Sequence, residues 1–152
     1  VLNIDPYTPA DLMKYAEDKE YRLTKEEQEI ISNICTVPGE VDTLVRYDIL
    51  TFYDFAKTVV DNIGIVNGAN AFKIGLKLSY KEDDGGWDIA LFLRTIMYIC
   101  RKKMDTKPIQ QYRDSIAITS KYLSQINITG INKSSTIDMW ILEMRGIWME
   151  EA

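Results

Sequence analysis

Two short runs of cations hold the residue types best placed to do chemistry in this chain. Lys73, Lys77 and Lys81 recur at every fourth position, and Arg101, Lys102, Lys103, Lys107 and Arg113 follow further along. Ammonium and guanidinium groups at this density neutralise phosphates, so the chemistry they offer is electrostatic holding of a phosphodiester backbone. Ordinary surface explains them as well: a solvated strand face carries lysines, and the C-terminal end of a helix attracts cations through its macrodipole. Both readings stay open on charge alone. Bond-making chemistry has little to work with. The chain has no histidine, which removes the commonest general base and the commonest transition-metal ligand. With only two cysteines, Cys35 and Cys100, neither a zinc site nor a Cys-His nucleophile is expected. Gly64, Gly68 and Gly75 are too widely spread for a phosphate-cradling loop. Asp83-Asp84 before Gly85-Gly86 reads as a solvated acidic turn rather than a metal site. The reading is of a protein that is not an enzyme and carries no cofactor or metal.

The elements that must position these cations are readable from periodicity and caps. Phe72, Ile74, Leu76, Leu78 and Tyr80 alternate with Lys73, Gly75, Lys77, Ser79 and Lys81, which predicts an amphipathic strand with a basic face. Asn67-Gly68 upstream is a hairpin turn signal, so a β-hairpin is expected at about 63–81. Elsewhere the pattern is helical. Thr8-Pro9-Ala10-Asp11 offers a cap, a first-turn proline and an acid, opening a helix to about Glu20. Thr24-Lys-Glu-Glu27 is a capping box for a second helix that ends before Pro38-Gly39. One long helix is predicted over Val41–Asn62, then helices at about Trp87–Met104, Pro108–Ile126 and Ser135–Glu150, the last opened by Ser135-Thr-Ile-Asp138. The fold class expected is mainly α: a six-helix orthogonal bundle with one inserted β-hairpin, in a single helical domain over 1–152.

The helix from Trp87 is apolar on nearly every face, from Ile89 to Cys100, which marks it as the buried centre. Its only internal charge, Arg94, is expected to be paired. The 46 % apolar and 27 % charged content is ordinary for a globular protein. No uncharged apolar run is long enough to span a membrane, and the first helix is acidic rather than signal-like. Both cysteines sit in apolar stretches and are expected as buried thiols rather than a disulfide. Charge is unevenly spread. Residues 1–54 carry 12 acidic against 5 basic side chains, whereas 87–126 carry 7 basic against 3 acidic. The net charge of −5 argues against wholesale wrapping of nucleic acid and leaves room for a local basic zone.

The order of short motifs carries a resemblance. A long helix leads into Gly64-Ile-Val-Asn67 and the basic strand. Asp83-Asp84-Gly-Gly-Trp87, an apolar helix with Leu91-Phe-Leu93, Tyr98-Ile-Cys-Arg101 and then Gln111-Tyr112-Arg113 follow. From about Asn62 to Leu123 this resembles the amino-terminal lobe of rhabdovirus nucleoproteins, most closely the plant-infecting members. The resemblance implies a lobe that binds the backbone of single-stranded RNA and self-assembles to encapsidate a viral genome. Arg101 matches the arginine that contacts RNA phosphate in that family; Lys102, Lys103 and Arg113 are weaker carry-overs. The spacing from Trp87 to Arg101 is longer than in the animal viruses, and the second lobe that closes the groove would follow this chain. Partners implied are single-stranded RNA, further copies of the chain and a viral phosphoprotein, with no membrane. The location implied is intracellular, in host cytoplasm or nucleus, and the virion. The alternative is a helical protein–protein interaction module without nucleic-acid binding. Its natural surface would be the stripe Trp140, Ile141, Met144, Ile147 and Trp148, which core packing explains equally.

Overall fold

Threonine hydroxyls start the first two helices. In a computed structural model that describes residues 7–65, 87–126, 128, 130 and 132–149, Thr8 caps α1 (Pro9–Asp18). Its Oγ1 accepts from Asp11 N at 3.1 Å while Asp11 Oδ2 accepts from Thr8 N at 2.9 Å. Thr24 and Glu27 repeat the reciprocal pair at the head of α2 (Lys25–Ile34), at 3.1 and 3.0 Å. Each pair satisfies two backbone donors that a helix start leaves without partners. Pro38 then begins α3 (Pro38–Tyr47), where its fixed φ and missing N–H cost nothing. Glu40 folds back to accept from Thr36 N at 2.8 Å.

The long helix expected over Val41–Asn62 is broken. Asp48 has φ 70 and separates α3 from α4 (Ile49–Asn62). Its carbonyl accepts from Phe52 N at 3.0 Å, and its Oδ2 accepts from Thr51 Oγ1 at 2.7 Å, so it opens α4 as a cap would. The remaining helices are α5 (Ile89–Thr106), α6 (Gln110–Ile126) and α7 (Lys133–Trp148). The last begins at Asn132, whose side chain accepts from Ser135 N at 3.0 Å, rather than at Ser135 itself. The expectation of six helices with a β-hairpin is therefore corrected. Among the described residues there are seven helices and no strand. Ile63–Ile65, where the hairpin was to start, form a turn after α4; 66–81, with Lys73, Lys77 and Lys81, lie outside the described residues.

The chain divides into two compact units, Val1–Asp54 and Phe55–Ala152. In the first, α1 packs on α2 and α3 around Leu12, Ala16, Ile30, Ile31, Ile34, Val41 and Leu44, all nearly inaccessible to solvent. In the second, α5 buries Leu91, Phe92, Leu93, Thr95, Ile96, Ile99 and Cys100, as its all-round apolar sequence requires. α6 packs on both α5 and α7. Two indoles fix the α6–α7 contact: Trp140 Nε1 donates to Thr119 Oγ1 at 3.0 Å, and Trp148 Nε1 donates to Ser115 Oγ at 2.8 Å. Phe92 meets the edge of Trp140 with centroids 5.6 Å apart. The turn after α4 seats on the end of α7, where Arg145 donates to Ile63 O at 3.2 Å. A Cβ on Gly64 would lie 2.8 Å from both the Cβ and the carbonyl oxygen of Trp148, so this close approach requires glycine. Cys35 and Cys100 are buried thiols that form no disulfide, as expected; desolvation pushes the Cys100 thiol up to about 12 and leaves it inert.

Candidate nucleic-acid interface

α5 ends and α6 begins at one corner of the second unit, joined by only Lys107, Pro108 and Ile109. Lys107 N donates to Lys103 O at 2.8 Å and Ile109 N to Lys107 O at 2.9 Å, which makes the connection tight. Arg101 and Lys102 sit in the last two turns of α5, and Arg113 sits in the first turn of α6. At 1.5 Å of rise per residue, all of them lie within roughly 10 Å of the junction along their helix axes. The chain connectivity alone thus gathers Arg101, Lys102, Lys107 and Arg113 at one end of a helical hairpin.

These four side chains belong to solvent-exposed residues. The reason is in the helix period: α5 directs Tyr98, Ile99 and Cys100 inward, and the two positions that follow turn outward. Lys102 lies over the Tyr98 ring at 5.4 Å from its centroid, a contact that steadies the long side chain. The negative end of the α5 dipole also favours positive charge near this end of the helix without any ligand.

Lys103 stands apart from the other four. It is half-buried, and its Nζ lies 2.6 Å from Asp61 Oδ1 on α4. The hydrogen bond to Asp61 raises its pKa against the opposing cost of partial burial, so the ammonium is held charged and pointed at α4. This makes Lys103 a link between α4 and α5. Sequence reasoning grouped it with its neighbours because its partner lies on a distant segment, and nothing in the spacing signals Asp61.

Two carboxylates temper the field of the cluster. Asp105 lies one turn beyond Arg101 and is exposed, and Asp114 follows Arg113 and accepts from Gln110 Nε2 at 2.9 Å. The corner is therefore a modest positive patch. Tyr112 beside Arg113 is half-buried, its ring 4.9 Å from Trp148, so it serves packing rather than base stacking. Trp140, Ile141 and Met144 are buried and Trp148 is half-buried, so the stripe weighed as a partner surface faces the interior.

The described residues contain no group of three or more metal-ligating side chains. No helix among them is long and apolar enough to cross a membrane. An open cleft of about 720 Å³ in the first unit is lined by Met13, Glu17, Glu20, Tyr21, Arg22 and Gln28, a mixed-charge surface without a nucleophile and base pair. No family model, curated protein or solved structure matches the chain.

Proposed function

We propose that this chain is a lobe of a viral nucleoprotein that holds single-stranded RNA by its sugar–phosphate backbone and self-assembles along it. The observation that carries the reading is the gathering of four exposed cations, Arg101, Lys102, Lys107 and Arg113, at the tight α5–α6 junction. The motif resemblance around Trp87, Arg101 and Tyr112-Arg113 supplies the substrate class. Phosphates are read by charge rather than by base edges here, so binding is sequence-tolerant. Lys73 and Lys77 would extend the basic zone on the segment that precedes α5. Lys103, engaged with Asp61, supports the fold of the corner.

The test is fluorescence anisotropy with a short single-stranded RNA across a salt series. Four phosphate contacts predict a log–log salt slope of about −3, or roughly 50-fold weaker binding between 50 and 200 mM salt. Arg101→Glu with Arg113→Glu should lower affinity at least about 10-fold and flatten the slope by more than one. Their helical circular dichroism should be unchanged, because both positions are exposed. RNA affinity equal to that of the parent chain would refute the proposal and favour an interaction module that binds no nucleic acid.

A further inference from the structure

Lys103 is rooted in the basic corner, yet its head group is turned away from it. Its backbone lies in the last turn of α5, two residues after Arg101, and its carbonyl accepts from Lys107 N at 2.8 Å. Its Nζ instead reaches Asp61 Oδ1 on α4 at 2.6 Å. The bond to Asp61 is the main cause that holds Lys103 charged, and Tyr112, the neighbour of Arg113 in the chain, is close enough to add to it. The ammonium thus sits between the end of α4 and the head of α6, a turn or less along α5 from Arg101 and Lys107.

Asp61 is unusually placed for an acid. α4 ends at Asn62, so the carboxylate meets the negative end of the helix dipole, which disfavours it there. Departures of this kind from local rules concentrate at functional sites. Lys103 supplies the compensation in the chain without RNA. We infer that Asp61 limits the RNA affinity of the corner by withholding Lys103, a latent fifth cation of the patch. The carboxylate acts twice: it holds the ammonium on α4, and it places a negative charge where a phosphate would approach. Both side chains are partly open to solvent, 26 % of Lys103 and 41 % of Asp61 being accessible, so the head group has a path outward once its partner is neutralised. A phosphodiester oxygen then replaces the carboxylate as acceptor, and a counterion leaves with the contact.

The assignment rests on the RNA-binding reading of the corner and adds its control: four cations bind, and a fifth is held in check. Asp105 offers the comparison. It is an exposed acid of the same corner, so removing it weakens the negative field without releasing Lys103.

The experiment is fluorescence anisotropy with the same single-stranded RNA on the parent chain, Asp61→Asn, Asp105→Asn and the double variant Asp61→Asn with Lys103→Met. Asp61→Asn should bind about 5-fold tighter at about 100 mM salt and steepen the log–log salt slope by about 0.7, the worth of one added phosphate contact. Asp105→Asn should gain less, and the double variant should return to the slope of the parent. Lysine acylation of the parent chain, read by mass spectrometry, gives a second measure that needs no variant. RNA should protect Lys107 and leave Lys103 as reactive as before. Asp61→Asn binding no tighter than the parent or than Asp105→Asn, a gain kept in the double variant, or protection of Lys103 in the parent overturns the proposal. Those failures leave the RNA reading standing where the parent binds RNA and Arg101→Glu with Arg113→Glu weakens it. A parent chain that binds no RNA overturns both.

Discussion

Asp42 is held between two tyrosines in the first unit. It accepts two phenolic hydrogen bonds of 2.6 Å, from Tyr15 on α1 and from Tyr21 just after it. Both bonds favour the charged carboxylate, so its pKa is lowered, and both keep the phenols protonated. The bond to Asp42 raises Tyr15 to about 12 and raises Tyr21 as well. A carboxylate whose folded pKa is depressed contributes stability above its unfolded value and loses it as pH falls through the folded one. A phenol whose folded pKa is raised contributes below its unfolded value and loses it as pH rises through the folded one. The first unit should therefore be most stable from roughly pH 4 to 10, declining on both sides. Urea midpoints measured by circular dichroism at stepped pH check this. Asp42→Asn should lower the midpoint at neutral pH and flatten the acid limb; an acid limb as steep as the parent's would rule out Asp42 as its source. None of this triad was legible in the sequence. Tyr15, Tyr21 and Asp42 lie on segments that meet only after folding, and each alone looks like ordinary surface.

At the scale of elements, legibility followed the range of the interactions. The starts of α1 and α2 were readable because Thr8 with Asp11, and Thr24 with Glu27, satisfy each other within a single turn. The interior course of α5 was readable because its apolar run leaves no face for solvent. The α3–α4 break was not, since Leu44, Tyr47, Ile49, Leu50 and Phe52 continue an apolar pattern straight through Asp48. A positive φ at a residue with a side chain is costly, and here a local hydrogen bond to Thr51 offsets part of that cost. Asp48→Ala keeps the unfavourable backbone and loses that bond, so it should destabilise by about 1–2 kcal/mol in urea unfolding. Asp48→Gly, which removes the backbone cost, should retain most of the parent stability. An alanine variant as stable as the parent would mean that the bend carries no strain. Of the candidate interface, the run Arg101 to Arg113 was legible because it lies on one continuous hairpin. The pairing of Lys103 with Asp61 was hidden, because it joins two elements distant in sequence.

At the scale of the whole molecule, charge and architecture divide at the same place. The first unit, Val1–Asp54, carries 12 acidic and 5 basic residues; the second, Phe55–Ala152, carries 11 acidic and 13 basic. An RNA strand should therefore be drawn to the second unit and repelled from the first. Ultraviolet cross-linking to single-stranded RNA, read by mass spectrometry, should place the adducts in peptides from 55–152 and concentrate them near the α5–α6 junction. Adducts spread evenly over 1–54 would contradict that assignment. One further consequence follows from the indoles that fasten α7 to α6. All three tryptophans of the chain, Trp87, Trp140 and Trp148, fall in the second unit. Light absorbed only by indole is thus emitted only from that half of the molecule. Loosening of α7 from α6 exposes Trp140 and Trp148 to water and shifts that emission, whereas events confined to the first unit leave it unchanged. The native chain carries its own optical probe for the helical hairpin that presents its cations.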